Sequence, residues 1–213
     1  MRKEVDKKTQ YIKNLFSIEE CDTLKKIKNH FGDDRDLISI GSEEANILKF
    51  FLQLHKSKKI LEIGTLIGYS SIIIAKSIPD EGFVCTIEKD PMHYKIATQY
   101  IKEANLSEKI FPLLGEASLV LTTLTIIDFD VVFIDANKNG YCDYLSWCDK
   151  YLKKGALIIA DNTFLFNKVY DNDNNEKTTE NMRLFNERLS NKEKYTTILM
   201  PTNEGLTIAI KNF

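Results

Sequence analysis

The sequence predicts an open, doubly wound α/β sheet of about seven strands, mostly parallel, with helices on both faces and one antiparallel strand near the C-terminus. Three observations predict it. Short apolar runs recur at 59–63, 83–88, 110–114, 131–135 and 156–161. Helical stretches of roughly ten or more residues lie between most of them, which is how parallel strands joined by helical crossovers read. The last two apolar runs, 195–200 and 206–210, are separated only by residues 201–205. So short a connection suits a hairpin and is too short for a parallel crossover. The arrangement is Rossmann-like, and a ligand crevice is expected outside the carboxyl ends of its strands.

The elements follow in order. Ser17 and Glu20 have the S-x-x-E spacing of a capping box, and Leu24, Ile27 and Phe31 continue at helical spacing. A second amphipathic run covers 42–56, with Ala45, Leu48, Phe51, Leu52 and His55 along it. The strand–helix alternation begins at Lys59. The chain is expected to form one domain, 1–213, in which helices of 1–57 serve a substrate or dimer side and 58–213 form the core. Residues 171–177 (DNDNNEK) are the most polar loop, and their D-x-D-x-N raises calcium. An EF-hand loop needs Gly at its sixth position and Glu at its twelfth, where this chain has Glu176 and Met182. That reading fails.

Composition excludes several classes. With 213 residues, 43% of them hydrophobic and 28% charged, the chain can bury a core and is not disordered as a whole. Twenty-nine Lys and Arg against 31 Asp and Glu leave a net charge of −2, which excludes a strongly basic nucleic-acid module. The lysines 25, 26, 28, 56, 58 and 59 are expected on solvated faces, with an RNA-facing patch as the alternative. No apolar run approaches the roughly 18 residues of a membrane span, and MRKEVDKKTQYIKN lacks the apolar centre of a signal peptide. Cys21, Cys85, Cys142 and Cys148 form no CxxC or zinc spacing. Reduced thiols and a cytoplasmic location are expected, with no membrane partner.

The informative feature is acidic. Four of the five parallel-strand candidates run from apolar residues into a carboxylate at their C-terminal ends: Glu62, Glu88, Asp135 and Asp161. The loop after the first strand, Gly64-Thr65-Leu66-Ile67-Gly68, is neither the dinucleotide G-x-G-x-x-G nor the P-loop pattern. A nicotinamide oxidoreductase is therefore disfavoured. Glu62 precedes the first glycine, where a pyrophosphate would meet like charge but an ammonium or sulfonium group would be favoured. Glu88 lies about two dozen residues beyond, where a carboxylate can accept both ribose hydroxyls of an adenosine. An adenosine with positive charge and no phosphate is S-adenosylmethionine.

ILEIGTLIGYSS, VCTIEKD, LLGEA, VVFIDANK, LIIADN and LTIAIK together resemble the cation-dependent class I O-methyltransferases, the catechol and caffeoyl-CoA group with its small bacterial relatives. The similarity runs from about Ile38 to the C-terminus, and DANK with ADN is its specific part. The resemblance implies that Glu62, Gly64, Tyr69 and Ser70 surround the methionine part of the cofactor. It implies that Glu88 holds the ribose and that Glu116 and Ala117 flank the adenine, with Ile40, Thr65, Lys89 and Asp135 completing the set. It implies Asp135, Asp161 and Asn162 as ligands of a divalent cation, Lys138 as general base, and a homodimer.

The donor chemistry points the same way. Two carboxylates and an amide oxygen make a hard site for magnesium, manganese or calcium, with coordination positions left for adjacent substrate oxygens. A dication there would acidify a hydroxyl of a catechol-like diol, and Lys138 would accept its proton. The chain departs from the family at Asn137 (usually Asp), at Lys153-Lys154-Gly155-Ala156 and at Glu204, and none of these is an implied metal ligand. Phe164, Leu165, Phe166 and Tyr170 are candidates for the wall around a hydroxylated aromatic substrate, or equally for core or dimer contacts. Arg183 and Arg188 read as a solvated face, with an anionic substrate tail as the alternative. Tyr141, Tyr144 and Trp147 read as core, and the three histidines carry no ligand spacing. Transfer to 5-hydroxyuridine in tRNA, with the same chemistry, is the alternative function; a non-catalytic cofactor-binding protein is the remaining one.

Overall fold

The computed structural model describes residues 7–16, 18, 20–30 and 40–213. The helices of the N-terminal part are α1 (Lys7–Phe16), α2 (Asp22–His30) and α3 (Ser42–His55). Strand and helix then alternate: β1 (Lys59–Ile63), α4 (Tyr69–Ser77), β2 (Phe83–Glu88), α5 (Pro91–Glu103), β3 (Ile110–Leu114), α6 (Ala117–Thr123), β4 (Val131–Ile134), α7 (Tyr141–Tyr151) and β5 (Leu157–Ala160). The chain closes with α8 (Lys177–Leu189), β6 (Tyr195–Met200) and β7 (Leu206–Lys211). The seven strands lie in the order β3-β2-β1-β4-β5-β7-β6. β1 to β5 pair in parallel, and β7 runs antiparallel to both of its neighbours. The expected sheet, with its single reversed strand, is the observed one.

Both faces of the sheet are buried, and the two-residue period of the strands divides the core. Leu61, Ile63, Val132 and Ile134 pack with Leu121, Tyr141, Trp147 and Phe185 of α6, α7 and α8. Ile60, Val84, Val131 and Phe133 pack on the other side with Leu24, Leu48, Ile72 and Ile101 of α2 to α5. Strands covered on both sides need apolar residues at nearly every position, which is why they read as unbroken apolar runs. Glu62 is an exception. It stands in the middle of β1, on the α4 side, fully buried.

One expectation near the N-terminus needs correcting. Ser17, like Phe31 and Ile38, lies outside the described residues, and α2 begins only at Asp22. Glu20 therefore precedes the helix and cannot be the third residue of a capping box. Its carboxylate instead accepts a hydrogen bond from the Tyr69 hydroxyl at 2.6 Å and pairs with Lys28. A tertiary partner has taken the place of the local one.

The carboxyl edge of the sheet is where the chain diverges. From β1 it leads to β2 on one side, and β1's other neighbour, β4, leads on to β5. This reversal of direction opens a crevice above β1 and β4, the usual ligand position in such sheets. At the far end of the sheet, β7 is anchored by a buried lysine. Lys211 is 3% exposed, and its ammonium donates to the carbonyls of Cys148, Asp149 and Leu152 at 3.3, 2.6 and 2.6 Å, closing the C-terminus of α7. Cations at helix C-termini are favoured by the unpaired carbonyls there. Lys211→Met keeps the length of the chain but leaves those carbonyls without their donor. It should destabilise the fold by about 2–4 kcal/mol, read as a lower midpoint in thermal or urea unfolding.

Candidate active site

The crevice is built around a backbone contact that only glycine permits. Gly64 has φ +105°, and a Cβ added there would lie 2.0 Å from the carbonyl oxygen of Asp135. Gly64 N–H donates to Ile87 O at 3.0 Å and Asp135 N–H to Ile63 O at 2.9 Å, so β1's exit is tied to β2 and β4 together. Without a side chain at 64, the loop after β1 and the turn after β4 meet. That contact sets Asp135 beside the residues that follow Gly64.

Glu62 lies beneath this loop. Its Oε2 accepts from Ser71 and, at 2.5 Å, from Thr86, while Oε1 is buried without a hydrogen-bond partner. Burial pushes its carboxyl up from 4.5 to about 7; hydroxyls of Ser70, Ser71 and Thr86 oppose that rise and the charge of Asp135 adds to it. A buried acid in this state favours a cation nearby. Glu88 ends β2. Its Oε2 accepts from Leu66 N–H at 2.7 Å and its Oε1 from Asp90 N–H at 2.9 Å, which fixes the carboxylate and holds Leu66 at φ +49°.

A second group gathers beyond the end of β4. Lys138 Nζ lies 3.1 Å from Asp135 Oδ1 and donates to the Tyr141 hydroxyl at 2.6 Å. That hydroxyl donates in turn to Asp161 O at 2.8 Å, with Ile134 O at 3.2 Å also in reach. Burial, then the charges of Asp135 and Asp161, raise the Tyr141 phenol well above its ordinary value and keep it a donor. Asp161 is 2% exposed and its Oδ1 has no partner. Burial first, then the charge of Asp135, push its carboxyl up; Lys138 acts against them, and Glu44 of α3 adds to them. Asn162 follows in the left-handed region, φ +57°. Among the described residues no three His, Cys, Asp or Glu side chains could hold a metal. A metal held by Asp135 and Asp161 would need a neutral oxygen donor as its third protein ligand.

One cavity occupies the crevice. Ile40, Gly64, Thr65, Tyr69, Ser70, Glu88, Lys89, Glu116, Ala117 and Asp135 all line it. Glu62 does not; it sits one layer below. Lys138, Asp161 and Asn162 lie outside the lining as well, and Asp135 is the residue common to the cavity and to their cluster.

These features have close counterparts in known proteins. The O-methyltransferase family matches residues 15–212. The chain belongs to the O-methyltransferase family. It is 34% identical over 209 residues to a catechol O-methyltransferase of Niastella koreensis, across 94% of each chain. A probable caffeoyl-CoA O-methyltransferase of Dictyostelium discoideum is 28% identical, covering 97% of this chain and 95% of the relative. Among solved structures, the O-methyltransferase from Bacillus cereus in complex with SAH superposes with a TM-score of 0.84 at 28% identity, over 95% of this chain and 96% of that one. The chain is accordingly an S-adenosylmethionine-dependent O-methyltransferase in class.

Sequence reasoning missed several residues of this O-methyltransferase-family site. Ile27 and Lys28 of α2, Asn137 and Tyr144 also line the cavity. Tyr141, read as core, is fully buried but spends its hydroxyl on Lys138 and Asp161. Its spacing of three from Lys138 on an incipient helix was the available signal. Arg183 and Arg188 are half-buried, lie outside the cavity lining and are held by polar partners. Arg183 donates to the carbonyls of Val169 and Asn174 at 2.9 Å and so pins the polar loop, and Arg188 pairs with Asp149 at 3.0 Å. Of the six lysines weighed as an RNA patch, five face carboxylates: Lys25 with Asp22, Lys26 with Glu103, Lys28 with Glu20, Lys58 with Glu81 and Lys59 with Asp128.

The segment after Asn162 is held by the closing hairpin. Thr163 N–H donates to Gly205 O at 3.0 Å, Phe164 N–H to Glu204 O at 2.8 Å and Phe166 N–H to the Glu204 carboxylate at 3.2 Å. Leu165, Phe166 and Asn167 are all left-handed, with φ of 49°, 55° and 70°. Such a run in residues with a β-carbon is strained and persists because the hairpin holds it. Leu165 is buried in the core, whereas Phe164, Phe166 and Tyr170 line a separate cavity with Thr202 and Glu204.

The Glu62 carboxyl gives a pH prediction for the ligand-free protein. Its folded-state value, about 7, exceeds its ordinary 4.5, so the folded state holds the proton more tightly. The stability this contributes is full below pH 4.5 and is lost as pH rises through 7. Glu62→Gln abolishes that loss. Its stability relative to the parent should therefore rise between pH 5 and pH 8, by about 2–3 kcal/mol in urea unfolding. Parallel pH profiles for the two proteins would count against a neutral buried Glu62.

Proposed function

We propose that the chain transfers a methyl group from S-adenosylmethionine to one hydroxyl of a small catechol-like or hydroxycinnamoyl acceptor, with a divalent cation bound by Asp135, Asp161 and Asn162. The observation that carries this reading is Asp161 Oδ1, a buried carboxylate oxygen without a partner, in the same cluster as Asp135 and Lys138. A buried, unpaired acid is costly unless a cation completes it. Two carboxylates and an amide suit magnesium, manganese or calcium better than zinc. Such an ion supplies Lewis acidity that makes a bound diol hydroxyl easier to deprotonate.

The chain's own residues do the rest. Gly64, Thr65, Tyr69 and Ser70 hold the methionine part of the methyl donor, and Glu62 beneath them favours its positive charge. Glu88 accepts the ribose hydroxyls; Ile40, Lys89, Glu116 and Ala117 enclose the nucleoside. Lys138, once its ammonium has given up a proton to solvent, takes the acceptor's hydroxyl proton as a neutral amine, and Tyr141 fixes the position of its Nζ. The acceptor oxygen then forms its bond to the methyl carbon as the carbon–sulfur bond breaks, and the donor leaves as a neutral thioether. Alignment of oxygen, carbon and sulfur is what the rigid crevice contributes. The names of the relatives, catechol and caffeoyl-CoA O-methyltransferase, support the acceptor class.

The test is transfer of a labelled methyl group from S-adenosylmethionine to catechols, hydroxycinnamoyl thioesters and undermodified tRNA, each with magnesium and with a chelator. Turnover of a small diol that stops on chelation is expected. Turnover confined to tRNA, falling steeply with salt, would replace the small-molecule acceptor by the RNA one. Asp161→Ala should lower turnover at least about a hundredfold. Full activity in that variant, together with indifference to chelation, would overturn the metal-dependent reading. Lys138→Met should lower kcat by about 10²–10⁴ while leaving the affinity for S-adenosylmethionine, measured by calorimetry, within about twofold.

A further inference from the structure

Helix α2 brings a lysine to the cofactor cavity that the family resemblance did not single out. Lys28 lines the cavity, and its ammonium pairs with Glu20, whose carboxylate also accepts the Tyr69 hydroxyl at 2.6 Å. The same ammonium stands 5.6 Å from the centre of the Tyr69 ring. Three residues from three parts of the chain thus form one latch over the N-terminus of α4. Lys28 keeps 30% of its side chain exposed and Glu20 16%, so the ammonium is held in place but not sealed off.

The charges around the cavity show what this lysine faces. Glu88, Glu116 and Asp135 are the carboxylates of the lining, and Lys28 and Lys89 are its cations. Lys89 follows Glu88 at the end of β2, and so belongs to the ribose end. Lys28 stands beside Tyr69, at the start of α4, which follows the loop after β1. S-Adenosylmethionine carries a sulfonium and an ammonium, which acids suit, and one carboxylate, which they repel. An anion entering a crevice rich in acid needs a cation, and an ammonium already oriented by Glu20 loses little freedom in supplying it.

We propose that Lys28 is a specificity-determining residue that receives the α-carboxylate of the methyl donor, with Glu20 and Tyr69 holding it in position. The proposal rests on the cofactor reading given above. It assigns to α2 the recognition of the amino-acid end of the cofactor, separately from the nucleoside contacts of β2 and α6.

The experiment compares two ligands by isothermal calorimetry on the full chain: S-adenosylmethionine, and its decarboxylated form, which keeps the sulfonium and the amine but lacks the carboxylate. Lys28→Met should raise the Kd for S-adenosylmethionine about tenfold and change that for the decarboxylated ligand less than about twofold. Lys28→Arg, which keeps the charge, should restore most of the difference. Equal weakening of both ligands would mean that Lys28 only braces α2, and would overturn the proposal; so would no change with either. Failure of the parent protein to bind either ligand would overturn the cofactor reading itself, and this assignment with it.

Discussion

Buried carboxylates tolerate burial only with positive charge or several donors beside them, and this constraint organises the carboxyl edge of the sheet. Glu62 is enclosed in β1 with one oxygen unpartnered, and Asp161 is enclosed past β5 in the same condition. Asp135, between them, is partnered by Lys138. Burial raises the carboxyls of Glu62 and Asp161, and the charge of Asp135 adds to that rise in both. A site of this kind is most stable when occupied by cations. The proposed reaction brings two, a sulfonium on one side of Asp135 and a metal ion on the other.

The geometry that makes this possible is a backbone contact. Because position 64 has no side chain, the loop after β1 can touch the carbonyl of Asp135. The cavity in the crevice and the Lys138 cluster then share that residue instead of lying apart. Tyr141 does a similar service at the other end, where a single hydroxyl ties Lys138 to the backbone of Asp161. The closing hairpin extends the same logic outward, as Glu204 and Gly205 hold the strained segment that follows Asn162. Each element at this edge is held by contacts to residues far away in the chain.

The division between what was legible and what was not follows from the range of the interactions. Strand positions were legible because double-sided burial forces unbroken apolar runs, and the hairpin because five residues cannot cross a sheet in parallel. The acids at the strand ends were legible because a carboxylate closing an apolar run is conspicuous. Lys28 was hidden among neighbouring lysines, since nothing local separates a lysine that faces a cavity from one that faces water. The partners of Arg183 and Arg188 were hidden for the same reason: these acceptors, carbonyls and a carboxylate, lie on other elements.

The sequence by itself determined the alternation of strand and helix, the reversed final strand and the set of carboxylates at one edge, because each depends on neighbours within a few residues or on a simple period. Only the tertiary structure decided which acids lack a partner, that Glu62 lies below the cavity while Asp135 joins it to the lysine cluster, and that Glu20 serves Tyr69 and Lys28 instead of its own helix. Those outcomes depend on distances between groups brought together by packing. A one-dimensional pattern does not contain them.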